Sequence, residues 1–388
     1  MEEEAVDAKL PNRPPYWRCA WPTVPDAPAG KVKVERVRHD YLEPLAEPSY
    51  GVAMPSVMRA ANGNVLATWY GGTVSWGKSW DPHERDGRVY VSVLAKGKRK
   101  WTPKAPLDEE PGSAHASTTL FRSAGGRLFA GYTAFDEGFN FNYGHSKIRV
   151  RTSDDGGMTW SRAKDLPYGA NARAATNGAL LSDGGIVVGV TLENTPGEER
   201  FHFGVCATIV SKDGGECWGM SNIVRAQDGT YLREPSLVEL SDGTLLMYMR
   251  SSLPGAEWSG GSPEKPVYVW EARSADGGLT WKAPTRTAII NNESTIDVVK
   301  LSSGELVLAH NDTPYGDWQK RWPLDLALSA DEGRTWEKIA RVDPGPGYVC
   351  HPSIDAGPGG TVHLVYTCVY RTVRYVRYRI RTRRRAPA

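Results

Sequence analysis

One pattern of about sixty residues recurs six times along this 388-residue chain, and it restricts the fold more than any other feature. Each copy is a short strand-forming run, a glycine turn and a second apolar run. The copies run from Ala53 to Tyr70, His115 to Tyr132, Ala175 to Thr191, Arg233 to Arg250, Glu293 to His310 and Cys350 to Thr367. Their turn glycines are Gly63, Gly126, Gly185, Gly243, Gly304 and Gly360, so the spacing stays between 56 and 63 residues. A unit this short cannot bury its own apolar face and has to stack on its neighbours.

A second pattern, Ser-x-Asp-x-Gly-x-Thr-Trp, lies between these hairpins. It occurs at Ser153–Trp160, Ser274–Trp281 and Ser329–Trp336, and at Ser211–Trp218 with Cys217 in place of Thr. A fifth site keeps only Trp101. The chemistry is that of a turn. Ser and Asp side chains cap backbone N–H groups. Glycine supplies the positive φ, and Trp packs between sheets. These aspartates therefore read as structural. Two hairpins per repeat make a four-stranded blade, and six blades predict an all-β, six-bladed β-propeller with Asp-box turns. Thr372–Ile380 reads as the third strand of blade six. Lys31–Val37 alternates with period two and is expected to add the fourth, closing the ring. The expected organisation is a Pro-rich extension at 1–30, the propeller at 31–380 and a basic tail at 381–388.

Composition narrows the function classes. Lys plus Arg is 47 and Asp plus Glu is 45, a net charge of only +2, which gives no argument for nucleic acid. No run is apolar enough to span a bilayer. No apolar leader follows Met1, so the cytoplasm is the default expectation. The five cysteines show no metal-ligand spacing. No metal or organic cofactor is expected. Cys350 and Cys368 stand where a hairpin disulfide could bridge them, against the alternative of free buried thiols.

In a propeller the innermost strands emerge together at one mouth of the central funnel. That places Ala53, His115, Asn177, Glu234, Asp297 and His351 there, with Arg250, His310, Asn311 and Asp312 returning on the paired strands. Polar groups distant in sequence thus converge on a concave, ligand-sized site. The structural alternatives are a plain Glu234–Arg250 salt bridge and a His351 that is merely hydrogen-bonded.

These residues carry a resemblance. Arg233-Glu-Pro-Ser-Leu-Val through Arg250, Asp297-Val-Val-Lys-Leu through Asn311-Asp312, Arg321-Trp-Pro-Leu and His351-Pro-Ser-Ile through Thr367 resemble the sialidase (neuraminidase) superfamily. Within it, the similarity is to the Asp-box, BNR-repeat branch, over roughly residues 40 to 380. The resemblance implies a carbohydrate substrate (an oligosaccharide or glycoconjugate) and an exo-acting glycoside hydrolase that removes a terminal, acidic or uronate-linked sugar. It implies that Glu234 activates a neighbour and that Arg250 and Arg321 hold a carboxylate. It also implies that Asp86 is the acid/base, with Asp81 and Glu84 as rivals. His351 stands where the family has its Tyr nucleophile, which makes it a third catalytic candidate. His115, Asp297 and Asn311 are candidate substrate-binding residues. The chain departs from the family at Ala53, where an arginine belongs, and at Thr367, where the acidic partner of that arginine belongs. Tyr348 is a possible substitute nucleophile, and Arg173 or Arg85 a possible third arginine. Two other readings follow from these departures. One is a propeller rhamnosidase or polysaccharide lyase with a His acid/base. The other is a non-catalytic glycan- or protein-binding propeller.

Overall fold

A computed structural model describes residues 32–43, 50–73, 87–108, 115–135, 146–169, 171–193, 203–253, 262–314, 321–345 and 347–382. Six antiparallel sheets follow one another along the chain. Blade four is typical, with strands Tyr231–Glu239, Leu245–Ser252, Tyr268–Ser274 and Thr285–Ile290 in that spatial order. Blade three departs from this pattern, because its inner position is split between Ala172–Arg173 and Ala179–Leu180. Blade six takes its inner strands from Val349–Gly357, Thr361–Cys368 and Thr372–Thr382, and its outer strand from Val32–Glu43. That outer strand runs six residues beyond the stretch read from the sequence. Every residue from Val32 to Glu43 lies in it, because arginines and tyrosines on Thr372–Thr382 continue the pairing across two register shifts. The Pro-rich extension and the end of the basic tail lie outside the described residues.

The sheets pack face to face through apolar rows. One cluster joins Phe121 and Phe129 of blade two to Ile186, Val188 and Val190 of blade three. Another joins Leu246 and Tyr248 of blade four to Val298, Leu306 and Leu308 of blade five. The Asp-box tryptophans seal these seams. Trp218, Trp281 and Trp336 each pack against a different inter-blade cluster. Trp101, alone at its site, donates to Asp40 Oδ2 at 2.8 Å and packs edge-on to Tyr375 of blade six.

The turn chemistry read from the sequence is present atom by atom. In the first box Asp155 accepts from Ser153 Oγ, Met158 N, Thr159 N and Thr159 Oγ1 at 2.6–3.0 Å. Ser153 Oγ in turn accepts from Gly157 N at 2.9 Å. Gly157 has φ +89°, and a Cβ there would collide with the Leu66 side chain of blade one. The turn therefore requires glycine for both conformation and space. The Cys350–Cys368 pairing is overturned. The register sets Cys350 opposite Thr367 and Val349 opposite Cys368. Cys350 is a free buried thiol, whereas Cys368 is disulfide-bonded and so is not free either.

The Thr159 hydroxyl, with the other donors, holds the Asp155 carboxyl down at about 2. A depressed carboxyl stabilises the fold above its unfolded value of ~4, and the contribution is lost as pH falls to about 2. Asp155→Asn is therefore expected to lower the thermal unfolding midpoint at neutral pH, with the gap to wild type closing between about pH 4 and pH 2. Calorimetry across that range checks it. A gap that stays constant with pH contradicts the turn assignment.

Candidate active site at the propeller mouth

The strand order fixes which face carries the site. Turn glycines lie at one end of every blade, with the four Asp-boxes at the same end, so the inner strands begin at the other end. There the strands of four blades bulge. Register shifts fall between Ala53 and Ser56, Ala116 and Thr118, Arg233 and Ser236, and Cys350 and Ser353. Inside each bulge one non-glycine residue takes positive φ: Met54 (48°), Ser117 (52°), Glu234 (50°) and His351 (52°). Such backbone is strained for these residue types and is typical of sites where function holds it. Two of the four bulges present ionisable groups.

Those two groups belong to one cluster. Glu234 Oε1 accepts from Arg173 at 3.0 Å, and Oε2 accepts from Arg250 at 2.8 Å. Thr295 Oγ1 also contacts Oε2, and it lies 2.8 Å from His351 Nδ1. The Glu234 backbone N–H is bound by Thr191 Oγ1 at 2.7 Å. Next to it, Glu293 Oε1 lies 3.6 Å from Arg250 and 3.8 Å from Arg233, and accepts from Ser252 Oγ at 2.6 Å. Glu234, Arg250 and Thr295 are each at most 2 % exposed. Burial by itself would raise the Glu234 carboxyl. The Arg250 and Arg173 guanidinium groups overcome it and hold the group well below the ordinary carboxylate range.

A second arm of the cluster is aromatic. Arg321 donates to Tyr348 Oη at 2.6 Å, and the Tyr348 and Tyr370 hydroxyls bond to each other. Their rings stack with centroids 4.2 Å apart, and the His351 ring lies 6.3 Å from Tyr348 and 6.4 Å from Tyr370. Burial pushes the Tyr348 phenol well above its usual value despite Arg321. Ala53 and Met54, where the family would carry its first arginine, belong to an apolar cluster with Tyr70, Tyr348, Cys350 and Tyr370. Thr367 is fully buried opposite Cys350.

The structure thus brings together Glu234, Arg250, His351 and, through the aromatic arm, Arg321. Asp297 and Asn311 stand apart. Asp297 lies two residues deeper than Thr295. It accepts from Ser236 Oγ at 2.6 Å, from Val298 N at 3.1 Å and from Ile354 N at 2.8 Å, stitching blades four, five and six. Burial pushes its carboxyl up to about 7. Asn311 spends its amide on the carbonyls of Arg321, Pro323 and Val349, at 2.8–3.3 Å. Asn177 likewise sits within the funnel, donating to the Val57 and Ile354 carbonyls across the axis at 2.7 and 3.3 Å. The Asn177 bonds tie blade three to blades one and six. A separate cavity of about 270 Å³ opens on the far side, lined by Arg122, Asn177 and Asp355 among others. His115 begins the inner strand of blade two. Asp86, Asp81, Glu84, Arg85, Trp76 and Trp80 lie outside the described residues, as do 136–143 of the aromatic loop.

Sequence reading missed Thr295. Placing Asp297 in one row with Glu234 and His351 at the mouth set blade five two residues out of register. Ser236 Oγ donates to Asp297 and accepts from Val298 N, which sets Asp297 beside Ser236, two residues beyond Glu234. Thr295 then falls on the position of Glu234 and His351. Arg173 was one of two rival third arginines, and the split inner strand of blade three delivers it.

A closed ring of six blades with a buried, charged cup at one end is a propeller of the sialidase-like class. The chain belongs to the BNR repeat-like domain family, which it matches over residues 63–364. It is 24% identical over 241 residues to a sialidase of Micromonospora viridifaciens, covering 56% of this chain and 33% of the relative. The chain thus spans about a third of the curated relative it matches. Among solved structures it is similar to the Hadza microbial sialidase Hz136, with TM-score 0.69, 18% identity and coverage of 87% and 68%. A protein of unknown function from Dyadobacter fermentans gives TM-score 0.69, 16% identity and coverage of 90% and 99%. An α-L-arabinanase of Penicillium chrysogenum gives TM-score 0.60, 12% identity and coverage of 89% and 98%.

Asn311→Ala is expected to lower unfolding free energy by about 1–3 kcal/mol, because three buried carbonyls lose their donor. Urea unfolding checks it. A change within ~0.5 kcal/mol would return Asn311 to the list of ligand-binding residues.

Proposed function

We propose that the chain is an exo-acting glycoside hydrolase that takes a terminal, carboxylate-bearing sugar into the propeller mouth. The gathering of guanidinium groups in the buried cluster supports this most. Arg173 and Arg250 bind Glu234, Arg250 and Arg233 lie within 3.8 Å of Glu293, and Arg321 binds the Tyr348 hydroxyl. An anionic ligand suits such a lining, because guanidinium groups grip carboxylates through paired, charge-assisted hydrogen bonds. Arg250 Nε and Arg321 Nε have no hydrogen-bond partner among the described residues, which leaves donors for such a ligand. Similar proteins named as sialidases and an arabinanase accord with a carbohydrate substrate.

In this reading Arg250 and Arg321 hold the sugar carboxylate, and His351 stands in for the family's phenol as the base. Glu234 orients and charges its neighbours, and Asp86 protonates the departing oxygen. An imidazole suits proton transfer near neutral pH. The same pairing of arginines with His351 favours a second reading. Arginines that neutralise a uronate carboxylate acidify the adjacent C–H, and an imidazole that removes that proton makes the enzyme a lyase.

The test is release of 4-methylumbelliferone from its sialic acid, glucuronic acid and neutral-sugar glycosides. Release is expected from an acidic glycoside. His351→Ala and Asp86→Asn are each expected to lower kcat by roughly 10²–10⁴-fold, and Arg321→Lys to raise KM. Release from neutral glycosides alone, or activity untouched by His351→Ala, rules the proposal out. An unsaturated uronate product would establish the lyase instead.

A further inference from the structure

We infer that Thr295 fixes the His351 imidazole in the tautomer protonated at Nδ1 and links it to the Glu234 carboxylate, so that three consecutive blades form a Glu–Thr–His relay. The role of the relay in catalysis rests on the hydrolase reading above, but its geometry does not.

The argument is one of donors and acceptors. An ionised carboxylate only accepts, and a threonine hydroxyl carries one proton. Glu234 is ionised, since two guanidinium groups bind it, one on each oxygen. The Thr295 contact to Oε2 must therefore use the hydroxyl proton. At its other contact, 2.8 Å from His351 Nδ1, Thr295 Oγ1 has no proton left to give. It accepts, and Nδ1 donates. In the neutral ring the lone pair then belongs to Nε2.

The backbone supports the same arrangement. Glu234 and His351 occupy equivalent bulges on blades four and six, each with positive φ, and Thr295 comes from blade five between them. Thr295 and Glu234 are 1 % exposed, so water does not compete for these bonds.

The consequence is a polarised base. A water that attacks the anomeric carbon gives its proton to Nε2 as the new C–O bond forms. The glycosidic C–O bond breaks, and the departing oxygen takes its proton from an acid, for which Asp86 is the candidate. His351 becomes an imidazolium one hydroxyl away from a carboxylate, which stabilises the charge as it develops. Thr295 touches no substrate in this scheme and is a positioning residue.

The test reads the ring directly. Protein labelled with ¹⁵N in histidine is examined by long-range ¹H–¹⁵N correlation, with His351 assigned by its absence in His351→Gln. The expected neutral pattern is the Nδ1-protonated tautomer in wild type and in Thr295→Ser, and a shift to the Nε2-protonated form in Thr295→Val. An Nε2-protonated wild type, or a pattern unchanged in Thr295→Val, overturns the relay. This measurement needs no substrate. An Nδ1-protonated ring in a protein that hydrolyses no acidic glycoside supports the relay while removing the hydrolase reading. Where hydrolysis is found, Thr295→Val is expected to lower kcat about 10- to 100-fold with KM little changed, and Thr295→Ser to restore most of it. Equal losses in both variants, or a loss confined to KM, also overturn it.

Discussion

Glu234 sits where the low-dielectric interior makes ionic groups most expensive, and its carboxylate is kept there by partners from other parts of the ring. Arg173 comes from blade three, Arg250 from the second strand of its own blade, and Thr295 from blade five. The backbone of Glu234 is tied to Thr191 of blade three. No single blade could satisfy this group, so the charged cup exists only when the blades are assembled. The bulge at Arg233–Ser236 is what aims the side chain there. An unbroken strand would alternate its residues between the two sheet faces and send Glu234 into an inter-blade seam.

The mouth is divided. Blades three to five and His351 supply charge and hydrogen bonds. Blade one and the Tyr348–Tyr370 stack of blade six supply apolar and aromatic surface, with Met54 where a charged group could have stood. Arg321 joins the halves, because its guanidinium both donates to the Tyr348 hydroxyl and lies 5.3 Å from the centre of that ring. A pyranose with one anionic edge and one apolar face has the same division.

The ring was legible in the sequence because its signals are local. Turn glycines and Ser-x-Asp-x-Gly-x-Thr-Trp boxes encode their geometry in a few adjacent residues, and repetition made each copy corroborate the others. The bulges were not legible. One extra residue in a strand leaves no trace in composition, yet it decides what points into the mouth. Aligning blade five two residues out of register moved Asp297 to the mouth and hid Thr295. Asn311 looked exposed and polar at the end of a strand, and only the fold reveals three carbonyls around its amide. Cys350 and Cys368 failed as a pair for a similar reason, since the bulge before Ser353 sets their partners. Glu234, Arg250 and His351 were set side by side from the sequence because repeat position and residue type agreed, and they do lie together.

The clasp between Val32–Glu43 and Thr372–Thr382 carries a consequence for how the chain reaches this state. It joins segments more than three hundred residues apart, so it is among the least local pairings the molecule makes. Contacts of that separation form late and slowly, because a long loop must close before they reward the chain. During synthesis the first strand emerges long before its partner exists and has an unpaired edge until the last blade is complete. The row of arginines at 374, 377, 379 and 381 on the closing strand, alongside Arg36 and Arg38 on the first, then has a use before folding ends. Like charges discourage either edge from pairing with another copy of itself, while Glu35 opposite Arg379 favours the intended match.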